Sequence, residues 1–491
     1  MSTARITAIV IALVGLGFTA ADAQTWTPLV NQPAFSAGNP LLLTDGTVMA
    51  HNTCAPDWWR LTPDATGSYV NGTWTPIASM PAGYGPLYFS SAVLPDGRVI
   101  VEGGEYNFCH AVWTTLGAIY DPLANAWTPV SPPAGWKTIG DAQGVVLADG
   151  TFMLANCCTT ETALLDARRL TWTATGAGKF TVNDEEGWTL LPDGGVLTVD
   201  AYVFSYDANG TNSEIYDPST GMWTSAGSTI VQLWDSYPSA SRASYEVGPA
   251  VLRPDGTVFA TGANGGPHAS GHTAIFDSHS GTWTQGPDFP PGLDVADGPA
   301  ALLPNGKVLV EAGPGIFKKG AEFFEWDGST LNPVPGPPPA KNEASYVGNM
   351  LVLPTGEIFW TDLGGNAWVY SSSGGANPAW APRIVADESP LTIKRGKTYW
   401  IQGYNFNGFS QGAAYGDDAQ AATNFPLVRI TNRATGHVFY ARTHDHSTMA
   451  VAYTGLASTH YDAPPGMEPG PGDLVVVTNG IASAPIAVVV Q

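Results

Sequence analysis

The hairpin unit Tyr88-Phe-Ser-Ser-Ala-Val-Leu-Pro-Asp-Gly-Arg-Val-Ile-Val-Glu-Gly-Gly104 recurs along most of this chain, and the recurrence limits the folds open to it. Two short apolar runs flank Pro-Asp-Gly, where glycine accepts the positive φ of a tight turn and aspartate tolerates it. The turn glycines are Gly46, Gly97, Gly150, Gly194, Gly256, Gly306 and Gly356, at successive spacings of 51, 53, 44, 62, 50 and 50 residues. A period of that size predicts a propeller, whereas one long sandwich leaves it unexplained.

A second hairpin follows each first one and ends in an aromatic residue. Tyr120 precedes Trp127, Leu165 precedes Trp172, Tyr216 precedes Trp223 and Phe276 precedes Trp283 at a constant seven residues, with degenerate copies at Leu61 to Trp74, Phe324 to Leu331 and Tyr370 to Trp380. Two hairpins make a four-stranded blade, and seven blades close a ring with few free sheet edges. An additional Trp-Thr-Pro at 26–28 predicts that the chain start closes the ring against the last blade. The period stops near Pro382, and the alternating apolar runs beyond it predict a second domain, an immunoglobulin-like sandwich over 382–491. The fold class expected is all-β: a seven-bladed propeller over 24–381, then the sandwich.

Residues 1–23 read as a signal peptide: Arg5, an apolar run over 6–18, then Ala21-Asp22-Ala23. The expected protein is secreted or periplasmic and begins at Gln24, and no other run is long enough to span a membrane. A formal charge of −22, from 42 acidic and 20 basic residues, argues against nucleic acid as a partner. No apolar stripe suggests self-association, so a monomer is expected.

Four cysteines permit three disulfide connectivities. Cys54 with Cys109 between neighbouring blades, and Cys157 with Cys158, is the pairing favoured. Zinc is disfavoured because no C-x-x-C occurs.

The inner strand of a blade begins opposite the Asp-Gly turns, so residues nine or ten before each turn glycine should ring the channel mouth. They are Ser36, Tyr88, Asp141, Glu185, Glu246, Asp297 and Tyr346. Second-strand ends add His51, Glu102, Glu311 and Asp362, with His110, Trp113 and His268 in the loops beyond. This is a polar funnel suited to a metal, a sugar or both, with Trp113, Asp141, Glu185 and Asp297 as substrate contacts. An acidic chain also places solvated acids in its loops, which is the plainer account. In the sandwich, Thr443-His444-Asp445-His446 would put both histidines on one side of a strand, a spacing that can share a metal.

These features together resemble the galactose oxidase and glyoxal oxidase family of copper radical enzymes, with kelch-type blades and an early-set sandwich. Tyr88-Phe-Ser-Ser91 resembles the family's blade-two tyrosine ligand, Thr443-His444 its sandwich histidine, and Tyr346-Val347 its Tyr-His pair. Phe35-Ser36 stands where the family has Phe-Cys, whose sulfur cross-links to the blade-two tyrosine. The resemblance implies copper held by Tyr88, Tyr346 and His444, with His446 as the fourth ligand because Val347 cannot serve. It also implies Tyr88 and Tyr346 as catalytic residues acting on a small alcohol, aldehyde or carbohydrate. Ser36 cannot form the cross-link, which leaves two further readings: a glycan binder using Trp58, Trp59, Trp113 and Trp234, and glycan cleavage by carboxylates such as Glu185 and Glu246.

Overall fold

The computed structural model describes residues 24–202, 210–236, 243–263, 269–386, 391–418 and 420–491. The expected signal peptide and His268 lie outside the described residues.

Seven radial sheets form a propeller. Its blades span 37–76, 90–130, 144–175, 189–228, 250–285, 300–334 and 349–371, and each starts at its innermost strand. The last blade has three strands of its own and takes its fourth from Thr25–Pro28, which pairs antiparallel with Ala367–Ser371 through Thr25↔Ser371 and Trp26↔Tyr370. The expected closure is therefore present. Trp26, not Trp380, is the outer aromatic of this blade, because Trp380 lies on a separate 3-10 turn and packs over the Gly306 turn. In the sixth blade Leu331 faces Trp326, not Phe324, because that turn is two residues shorter.

The spacing of the outer aromatics has a mechanical reason. Each of these regularly spaced tryptophans sits opposite the residue seven places earlier on the neighbouring strand, as in Tyr120↔Trp127 and Phe276↔Trp283. From there its indole reaches back to the preceding blade. Trp127 Nε1 donates to the Ala78 carbonyl (2.8 Å), Trp172 Nε1 to Ser131 (2.7 Å), Trp283 Nε1 to Ser213 Oγ (2.9 Å) and Trp26 Nε1 to Pro335 (2.6 Å). In these four the apolar ring body packs between blades while its one polar atom is satisfied, whereas the Nε1 atoms of Trp74 and Trp223 are buried without a partner. The largest apolar core runs continuously through these blade interfaces.

Residues 383–490 form two sheets around a separate core of Ile393, Ile401, Val428, Tyr461, Val476 and their neighbours. Strand Val438–His444 serves both, pairing with Leu427–Asn432 through its first half and Ala457–Asp462 through its second. This unit sits under the Pro-Asp-Gly turns. Arg442 donates to the Asp96 carbonyl (2.7 Å), Thr443 N to Thr44 O (3.0 Å) and His446 N to Pro95 O (3.1 Å).

Cys54 and Cys109 are joined, with Cα atoms 5.2 Å apart. Cys157 and Cys158 are not, which corrects the expected second disulfide. Their sulfurs are 2.6 Å apart, longer than a covalent S–S bond, and Cys157 Sγ donates to Asp184 at 3.6 Å, so the thiol keeps its proton. No described helix is long and apolar enough to cross a membrane.

Two outcomes follow. Trp26→Ala should lower stability by about 2 kcal/mol, roughly half the cost of truncating a fully buried tryptophan because this one is partly exposed. Denaturant titration measures it, and an unchanged midpoint would mean the closing strand adds nothing. Thiol labelling under denaturing, non-reducing conditions should modify two cysteines.

Candidate functional site

The mouth of the channel, on the face opposite the turns, holds a cavity of about 380 Å³. Tyr88, Asp141, Glu185, Glu246, Asp297 and Tyr346 all line it. The blade-entry register therefore brings together six of the seven positions read from the repeat. Ser36 is not among them: its backbone is tied to Asn52 and Thr53, and Phe35 turns outward to stack on Trp59 at 4.9 Å.

Backbone geometry explains how large polar side chains come to point inward. Tyr88 (φ 50°), Glu185 (φ 57°) and Asp297 (φ 50°) are left-handed, as are Gly140 before Asp141 and Tyr245 before Glu246. A left-handed residue costs about 1–2 kcal/mol without glycine. Here it bends each chain sharply into its innermost strand and turns the entry side chain toward the axis.

Two contributors carry no periodic signal. The first is a loop of blade two. Pro86–Leu87, Tyr106–Asn107 and His110–Ala111 form a small sheet above the mouth, and the Cys54–Cys109 disulfide ties it to blade one. This loop delivers Glu105 and Tyr106 to the cavity.

The second is segment 411–418 of the sandwich, which rises through the channel from the turn face. Gly412 O accepts from Leu302 N (2.7 Å), and Ala413 and Ala414 pair with Ala301 and Ala300 as a fifth strand of blade six. Gln411 Oε1 accepts from Leu190 N (2.8 Å) in blade four, and Tyr415 Oη donates to the Tyr346 carbonyl (2.5 Å). Gly416 passes so close to Asp297 and Val247 that a Cβ would collide with both. The segment ends at the mouth with Asp417 and Asp418.

The cavity is consequently crowded with carboxyl groups. Burial first, and neighbouring carboxylates second, push Asp141, Glu185, Glu246, Asp297 and Asp418 well above their ordinary range, and burial raises Asp417. Glu105, less enclosed, is pushed up to about 7 by burial and Asp417. Glu185 and Glu246 line the same cavity. Glu246 acts to lower Glu185 and Asp297, but the larger upward push of burial and Asp417 wins at both. Aromatic groups form the upper wall: Tyr106 lies edge-on to Tyr88 at 6.2 Å, and Phe317 edge-on to Tyr346 at 5.3 Å.

The expected convergence of His444 and His446 with the two tyrosines does not occur. Both histidines are on the turn face, at the other end of the channel. Strand Val438–His444 ends there, and Asp445 turns left-handed (φ 51°), which breaks the alternation expected of the pair. His444 Nδ1 bonds Asp445 (2.8 Å) and its ring stacks on His460. His446 is buried on Thr459 (2.9 Å) and held neutral, its pKa lowered to about 3 by burial.

Copper therefore does not fit this cavity. Among the described residues no histidine or cysteine lines it; His51 sits in a crevice behind Tyr88 with Nε2 committed to the Ala55 carbonyl (2.6 Å). Burial also pushes the Tyr88 phenol well above its ordinary value, which disfavours a tyrosinate ligand. An all-oxygen set suits hard cations better than copper.

Several other expected contacts are displaced. Trp113 is 45% exposed but does not line the cavity. Trp58 and Trp234 are buried in the core and cannot offer a stacking face, and Trp59 is stacked on Phe35. Glu102, Glu311 and Asp362 lie inside blades; Glu311 accepts from Trp360 Nε1 (2.7 Å), and Asp362 organises the loop to Asn366. His110 is exposed on the small sheet.

No family model matches the sequence. A kelch-like protein, terF, of Aspergillus terreus is 28% identical over 130 residues, which are 25% of this chain; the match spans about a quarter (26%) of that relative's length. Among solved structures, a fungal alcohol oxidase of the AA5 family in complex with copper is similar in fold, with a TM-score of 0.51 and 14% identity over 96% of this chain and 100% of that one. A catalytically inactive virginiamycin B lyase from Staphylococcus aureus, with quinupristin, gives 0.47 at 10% identity over 71% of this chain and 99% of that one. The likeness to the alcohol oxidase establishes a kelch, galactose-oxidase-like fold.

The crowded carboxyls make stability depend on pH. A carboxyl raised in the folded state adds most stability below its unfolded value, near 4.5 for Glu105, and loses it as the pH rises through its folded value. His51 and His446, lowered by burial to about 4 and about 3, cost stability only below 6.5 and are level above it. In metal-free buffer the Tm should fall between about pH 6.5 and pH 8.5, and Asp417→Asn should reduce the fall. A flat Tm over that window, followed by scanning calorimetry, would contradict the assignment.

Proposed function

We propose that the chain is exported and that its propeller mouth binds an extracellular glycan and cleaves it by proton transfer, with Glu246 as the acid. The observation carrying this reading is a cavity lined by the buried acids Glu185, Glu246 and Asp297 together with the aromatic residues Tyr88, Tyr106, Phe317 and Tyr346. Aromatic faces suit the C–H faces of a sugar ring, carboxyls suit its hydroxyls, and the volume falls in the range of small-ligand sites. The division that accompanies it is a propeller over 24–381 and an immunoglobulin-like sandwich over 382–491.

On this reading Glu185 and Glu246 act as one proton-holding unit, not as the two separated carboxyls that flank a scissile glycosidic bond. Glu246 would protonate the leaving oxygen while Glu185 and Asp297 keep it supplied. Glu105, on the loop above and raised to about 7, is the base on this reading: it takes the proton of the water that adds to the anomeric carbon as the glycosidic C–O bond breaks, since a useful fraction is ionised at neutral pH. Asp141, Tyr88 and Tyr346 would orient the sugar hydroxyls. Oxidation of an alcohol by copper, the activity of the similarly folded enzyme, has no support from the donor atoms in this cavity.

The test is a glycan array followed by product analysis on the ligands retained. Glu246→Gln should lower turnover by about 10²- to 10³-fold while leaving sugar affinity within a factor of a few. Binding without any product would favour a lectin-like role. Peroxide formation from an alcohol by copper-loaded protein would overturn the reading.

A further inference from the structure

We propose that Asp141, Asp417 and Asp418 hold a hard divalent cation, of the calcium or magnesium class, on the floor of the mouth cavity. One oxygen from each lies within 4.8 Å of the others. Ligands on opposite sides of a calcium ion, each at about 2.4 Å, are about that far apart.

The carboxylates are poised for a ligand that the protein itself does not supply. Asp418 is 1% exposed and Asp417 2%, yet both Asp418 oxygens, Asp417 Oδ2 and Asp141 Oδ1 have no hydrogen-bond partner. Buried acceptors of this kind are normally satisfied. The same chain shows how it treats a comparable crowd elsewhere. In blade four, Glu186, Asp200 and Glu214 gather around Lys179 Nζ at 3.0, 3.2 and 2.6 Å, all four buried. Among the described residues no lysine or arginine lines the mouth cavity, and an exchangeable ion can supply the positive charge that Lys179 supplies in blade four.

The donors also select the ion. They are carboxylate oxygens only, which match calcium, magnesium or manganese and leave copper and zinc without their preferred nitrogen or sulfur. Two of the three come from the sandwich segment and one from blade three, so a bound ion would fasten the tip of that segment to the propeller. Asp417 also lies within 4.8 Å of Glu185 and Asp297, which places the ion next to the acids assigned above to proton transfer. The inference goes beyond that assignment, and its test is read with no sugar present.

Mature protein stripped with chelator is dialysed against calcium, magnesium or manganese chloride, and bound metal is counted per chain alongside the Tm. Saturable uptake of at least one of the three with a higher Tm is expected. Asp417→Asn and Asp418→Asn should each weaken uptake at least tenfold, while their metal-free Tm equals or exceeds that of the unaltered protein because a repelling charge is gone. A structural role alone would lower that Tm. If either variant fails to fold, Asp141→Asn reads the same outcome. No saturable uptake of any of the three ions, or uptake unchanged in these variants, overturns the proposal.

Discussion

Seven innermost strands must enter a propeller within one small circle, and this convergence is the constraint on which the rest depends. Whatever side chain occupies the entry position is repeated around a single axis, so a residue harmless in one blade becomes part of a concentrated group in seven. Here four of those positions are carboxylic acids and two are tyrosines. Left-handed backbone at the entries turns them inward, and segment 411–418 then fills the axis and adds two more acids. The electrostatic cost of that assembly falls on blades held rigid by their indole contacts to one another, which keep the ring from relaxing outward.

The periodic part of this structure was legible in the chain because each signal has a repeated physical cause. The turn glycines mark hairpins, the outer tryptophans stitch blades, and counting back from the turn reaches the mouth. Ring closure by residues 25–28 was readable for the same reason, since an unpaired Trp-Thr-Pro has one vacant place to go. Glu105, Tyr106, Asp417 and Asp418 were missed because they lie on excursions that occur once, where no register can be counted. The Tyr-Gly-Asp-Asp run at 415–418 was the available signal, adjacent acids beside glycine, but nothing local says that it enters a channel.

The misplaced residues fail for a different reason. Thr443-His444 was placed by a two-residue likeness, and a strand ending on the turn face carries such a pair equally well. Trp58 and Trp234 were read as binding faces by residue type, although the same amphipathic ring serves a core as readily as a sugar. Cys157 and Cys158 were paired by adjacency, whereas bonding depends on how the sulfurs are presented. In each case chemical identity was visible and orientation was not.

The closing strand has a temporal consequence. Thr25 is among the first residues of the propeller to be made, and its partner Ser371 among the last. Until almost the whole ring exists, the early strand has no sheet to join and the last blade keeps an open edge. The axial segment comes later still in the chain, so the mouth takes its final shape only when translation is nearly over. A chain built this way gains little from folding as it emerges: its most distant contacts are what complete it, and such pairings form slowly. Crossing a membrane unfolded and assembling afterwards would suit that order of events, and until closure the open edge is the surface on which a neighbouring chain could add a strand.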